Sequence, residues 1–133
     1  MKRKALTITL AAVMAMGTCA VTASAADGDT YTIGICQLVQ HEALDAATQG
    51  FKDEIVKELG EDAVTFDEQN AQGDSNTCST IINSFVSNNV DLILANATPA
   101  LQAAAAGTSD IPILGTSVTE YGVALGLDDF DGT

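Results

Sequence analysis

The chain has 133 residues, of which 18 are acidic and 5 basic, for a formal net charge of −13 at pH 7. A surface this acidic repels nucleic acid and anionic lipid, and no basic patch beyond residue 4 offsets it, so neither is expected as a partner. The length suits one small domain rather than two.

Residues 1–25 have the makings of an export signal. Lys2, Arg3 and Lys4 give a basic start, Ala5 to Val13 an apolar stretch, and Ala23-Ser24-Ala25 the small residues a signal peptidase needs. Thr7, Thr9, Gly17, Thr18, Thr22 and Ser24 interrupt the run too often for a membrane span. A lipoprotein signal with Cys19 as the lipidated residue is a second reading, and the bulk of Thr18 argues against it. Cleavage after Ala25 leaves Lys52 and Lys57 against all 18 acidic side chains. The protein is therefore expected outside the cytoplasm, in the periplasm or at the outer face of the cytoplasmic membrane. An α/β domain sent there is better suited to catching a solute than to chemistry that uses cytosolic cofactors.

Residues 30–39, TYTIGICQLV, are apolar and β-branched on both faces, as strands of parallel sheets are. Leu44, Ala47, Phe51, Ile55 and Leu59 recur at steps of three and four, which predicts a helix over 41–59 with Gly60 as its stop. Val64-Thr65-Phe66 begins a second strand that runs out at Asn70. Ala71-Gln72-Gly73 is a turn, and Asp74 is placed to cap a helix with Cys78, Ile81, Ile82, Phe85 and Val86 on one stripe. Asn88-Asn89 ends that helix, and residues 90–95, VDLILA, form a third strand. Thr98 as N-cap and Pro99 as first helical residue open a third helix that halts at Gly107. Residues 111–114 predict a fourth strand, and a further short strand is expected over 123–127.

This alternation predicts an α/β fold: a parallel sheet with helices on both faces, joined by right-handed crossovers. Ligands of such sheets lie beyond the carboxyl ends of the strands. The segments at that edge are 37–41, 70–74, 96–99 and 116–119. They are rich in amides and hydroxyls and almost free of cations, which suits hydrogen bonding to a small polar solute.

The residue patterns of catalysis are missing. No glycine-rich phosphate loop follows the first strand, Gly34 lying inside it, and there is no G-x-S-x-G nucleophile elbow. Cys36 and Cys78 match no metal spacing, and His41 has no second histidine to join it. No enzyme activity, cofactor or metal is expected. His41 suits a capping or ligand-contact role, with Asp45 one turn on to steady its imidazole. The Thr98-Pro99 helix start offers free amides to a carboxylate, although an ordinary capped helix is the plainer alternative. Tyr121 either lines a cleft or packs on the surface. Cys36 and Cys78 either pair or remain two buried thiols.

The runs IGICQLVQHEALDAATQGF, NAQGD, VDLILANATPALQAAA and IPILGTSVTEYG resemble the ABC-transporter substrate-binding proteins of the tryptophan/tyrosine-type family, in order from Tyr31 to Tyr121. The resemblance implies the type I periplasmic-binding-protein fold, with residues 26–133 as a flavodoxin-like amino-terminal ligand-binding lobe. A second lobe would close with it over a ligand for delivery to a membrane permease. Carried over by position, Gln37, His41, Gln72, Thr98, Pro99, Ser117, Val118 and Thr119 would face the cleft. The implied ligand is an amino acid, of aromatic type by the resemblance, the implied partner an ABC permease, and a monomer is expected. Such receptors enter their second lobe through hinge crossovers, and the sequence stops at Thr133 before any. The chain is thus expected to be an amino-terminal fragment with that lobe missing. The alternatives are a sugar or autoinducer receptor of the same fold, or a truncated fragment with no binding of its own. Sugar rings usually stack on aromatic side chains, and none of the four loop segments holds one.

Overall fold

The computed structural model describes residues 28–131, so the expected export signal and Cys19 lie outside the described residues. In chain order it has β1 (Tyr31–Gln37), α1 (Glu42–Leu59), a 3₁₀ turn (Glu61–Ala63), β2 (Val64–Asn70) and α2 (Ser75–Ser87). These are followed by β3 (Leu92–Asn96), α3 (Thr98–Gly107), β4 (Ile113–Thr116) and α4 (Tyr121–Leu125). The four strands form one parallel sheet in the order β2-β1-β3-β4. The chain steps outward from β1 to β2 and then returns past β1 to β3. This reversal puts the switch point between β1 and β3, where open α/β sheets hold their ligands.

Alternation along the strands divides the core in two. Ile33, Ile35 and Leu94 pack with Phe51 and Ile55 of α1 on one face. Cys36, Ile93 and Ala95 pack on the other with Cys78, Ile82 and Phe85 of α2 and Ala100, Leu101 and Ala104 of α3. The expected helices on both faces are present. Gly34 lies inside β1 because a Cβ there would come within 2.7 Å of the Phe85 ring.

β1 (Tyr31–Gln37) is shorter than the expected 30–39 and β3 (Leu92–Asn96) starts later than the expected residue 90, and the chain after α3 differs further. β4 begins at Ile113 rather than residue 111, because Thr108 Oγ1 accepts the amides of Asp110 (3.2 Å) and Ile111 (3.3 Å) and so closes a turn ahead of Pro112. Residues 123–127 are not a strand. Residues 121–125 coil into α4, ended by Gly126 in the left-handed conformation at φ 66°. The Leu127 amide donates to Gly122 O (2.8 Å) and the Gly126 amide to Val123 O (3.3 Å), a Schellman closure that needs glycine at that position.

Candidate functional site

The carboxyl ends of the strands run into four short loops that are bonded to one another. The Ala71 amide donates to Gln37 O (2.9 Å) and the Gly73 amide to Leu38 O (2.7 Å). The Leu38 amide donates to Asn96 O (3.2 Å) and the Ala97 amide to Thr116 O (2.9 Å). The sheet ladder thus continues past the strand ends as a bonded rim.

Of the four described non-glycine residues with positive φ, three lie on this rim: Gln72 (54°), Ala97 (96°) and Ser117 (57°). Gln72 is eased into that conformation by Asn70 Oδ1, which accepts its amide at 2.8 Å. Ala97, with φ 96° and ψ 158°, occupies a region that favours glycine, at a cost on the order of 1–3 kcal/mol. Its bond to Thr116 on one side and the Leu101 amide on its carbonyl (3.1 Å) hold it there.

This conformation moves the start of α3. Ala97 is the N-cap, with Thr98 and Pro99 as the first helical residues, where Thr98 had been expected to cap. Thr98 makes no side-chain cap bond. Pro99 has no N–H and the Leu101 amide is taken by Ala97. The amides of Thr98 and Ala100 are therefore the ones left at the positive end of the helix, without a partner among the described residues.

Beneath the rim lies a polar network of Gln37, Thr48 and Asn96, all buried. Gln37 Nε2 donates to Asp45 Oδ1 (2.6 Å) and Val39 O (2.9 Å), and Thr48 Oγ1 donates to Gln37 Oε1 (2.7 Å). Asn96 Nδ2 donates to Leu44 O (2.8 Å) and Thr48 Oγ1 (2.9 Å). Asn96 Oδ1 is the buried side-chain atom left without a partner among the described residues. Asp45 therefore holds Gln37 and does not steady the imidazole of His41. His41 instead caps α1, its Nδ1 accepting the Ala43 amide at 3.2 Å.

Of the residues expected at the cleft, His41, Gln72, Ser117 and Thr119 are exposed on the rim, and Thr98 and Pro99 are half-buried there. Gln37 is enclosed under α1, and Val118 packs against the α2/α3 core. Tyr121 packs, its hydroxyl donating to Gly115 O (2.8 Å) and its ring stacking on Phe130 with centroids 6.2 Å apart. Sequence reasoning missed Thr48, Asn96 and Ala97. Thr48 carried a signal, since it occupies a core position on the stripe of Leu44, Phe51 and Ile55, where a hydroxyl needs a buried partner.

Asp74 caps α2 through the Thr77 amide (2.7 Å), and that bond holds its carboxyl below the usual value. Both described lysines lie on α1 in ion pairs away from the rim, Lys52 with Glu68 (2.8 Å) and Lys57 with Glu54 (2.7 Å). No cluster of three or more His, Cys, Asp or Glu that could hold a metal occurs among the described residues. Among the described residues the edge carries no lysine or arginine.

Comparison with known proteins gives consistent relatives. Residues 32–129 match the family model for ABC transporter substrate binding proteins. The tyrosine-binding protein of Clostridioides difficile (strain R20291) is 47% identical over 94 residues, which cover 66% of this chain and 26% of that protein. The ligand-free, open structure of a substrate-binding protein with adhesive properties from Clostridium difficile is 45% identical with a TM-score of 0.69. That match covers 74% of this chain and 34% of the other. An ABC domain from Streptococcus pneumonia in complex with L-Trp is 33% identical with a TM-score of 0.69, covering 72% of this chain and 33% of that one. The chain thus spans 26% to 34% of the length of these relatives.

Proposed function

Because this chain belongs to the ABC transporter substrate-binding protein family, we propose that it acts outside the cytoplasm as the solute-binding part of an ABC importer and takes an amino acid. The observation that carries this reading is the make-up of the rim. The free amide and hydroxyl of Thr98 lie at the positive end of α3, which the Ala97–Thr116 bond ties to the loop of Ser117 and Thr119, with no lysine or arginine among the described rim residues. Such an edge holds a carboxylate by neutral donors and leaves the ammonium of a zwitterion free of competing cations.

An aromatic side chain is supported by the relatives, one described as tyrosine-binding and another in complex with L-Trp. His41, Gln72 and Pro99 supply further contacts at the rim. Gln37 acts from below, holding the loop after β1, and Val118 supports the loop after β4. A second lobe closes over this edge, and the closed monomer delivers its ligand to an ABC permease. The leader at residues 1–25 directs export of the lobe formed by residues 26–133. The protein binds and hands on its ligand without chemical change.

Calorimetric titration of the native secreted gene product with L-tyrosine, L-tryptophan and L-phenylalanine tests this. Saturable heat is expected with at least one, and it should vanish when the carboxylate is replaced by an alcohol. No heat with any amino acid would overturn the ligand assignment, and heat with a sugar would favour the sugar-receptor alternative.

A further inference from the structure

We propose that Cys36 and Cys78 form an intramolecular disulfide that staples β1 to α2 when the chain folds under oxidising conditions. Cys36 on β1 faces α2, and Cys78 in the first turn of α2 faces back toward the sheet. Both are fully buried in the same core cluster, and both are free here. The two side chains are neighbours in that cluster, where α2 packs on β1. The bond would close a loop that runs through α1 and β2, tying the first strand to the second helix and removing freedom from the unfolded chain.

Burial determines when the bond can form. The thiolate is the attacking species, and burial, with Cys78 alongside, pushes the Cys36 thiol up to about 12. Burial also raises Cys78. Exchange therefore proceeds from an opened or unfolded chain, and the finished bond is screened from reductants by the same packing. With glutathione disulfide as oxidant, one protein thiolate attacks a glutathione sulfur and expels a glutathione thiolate, leaving a mixed disulfide. The second protein thiolate attacks the protein-bound sulfur and expels the other glutathione thiolate. The protein loses two electrons and two protons, and the oxidant ends as two glutathione thiols.

The test uses the full chain carrying C19S, so that Cys36 and Cys78 are its thiols. The chain is unfolded, refolded with glutathione disulfide, then denatured and treated with N-ethylmaleimide before mass analysis. The expected product lacks two hydrogens, carries no adduct, and yields a peptide joining Cys36 to Cys78. After reduction it takes two adducts. The folded reduced chain should oxidise far more slowly than the chain in denaturant, and the oxidised form should melt several degrees (~5 °C) higher than the reduced form. Two maleimide adducts or two bound glutathiones after oxidative refolding would overturn the proposal. So would an oxidised form that fails to regain the circular dichroism of the reduced fold.

Discussion

Asp74 and Gly34 are each defined by close contacts, and each makes a sharp prediction. The Thr77 amide favours the carboxylate of Asp74, so the folded chain holds that proton more weakly than the unfolded chain does. The resulting stability is present above the ordinary value of 3.8 and is lost as pH falls through the lower folded value. Asp74→Asn keeps an amide-accepting cap and should lose this acid dependence, whereas Asp74→Ala should melt lower even at pH 7. Thermal melts at pH 7 and pH 3 separate the two. Gly34→Ala drives a methyl to 2.7 Å from the Phe85 ring in a filled core. It should cost about 1–3 kcal/mol in chemical denaturation, with partial recovery when Phe85→Leu is added.

Among the elements, α1 and the end of β3 are bound by the buried amide–hydroxyl network. Asn96→Ala leaves Leu44 O and Thr48 without the donor they now share. A loss of about 2–3 kcal/mol is expected, with hydrogen exchange accelerated first in the amino-terminal turns of α1. The elements that were legible in the sequence are those whose signals repeat. α1 and α2 carry apolar stripes over several turns, and their stops and caps at Gly60 and Asp74 lie where the residue types put them. β4 and α4 were less legible because four or five residues carry too little period, and a hydroxyl turn and a Schellman closure decided their limits. At the rim, exposed polar residues could be read from loop position. Ala97 could not, since alanine gives no hint of a positive φ that its bonds to Thr116 and Leu101 sustain. Gln37 was expected in the loop after β1, whereas it is the last residue of that strand, and the sequence does not reveal that α1 folds over it.

Across the whole molecule the sheet is covered unevenly. Among the described elements α2 and α3 cover one face, while α1 covers the other, packing chiefly on β1, β2 and β3. Leu114 on that side is 47% exposed, whereas its neighbour Ile113 packs against the α2/α3 core. Leu114→Lys should therefore change stability by less than about 0.5 kcal/mol, and Ile113→Lys should cost more than about 2 kcal/mol. Equal losses in urea unfolding would contradict this assignment of faces.

Loops cross-linked from Gly73 through Leu38 to Asn96, and from Ala97 to Thr116, cannot rearrange one at a time. If a solute binds there as proposed, it would meet donors already in position, and little ordering entropy would be lost on this side of the complex. Its arrival is then governed by diffusion and orientation rather than by a search among loop shapes. Loops bonded in this way would move as one plate.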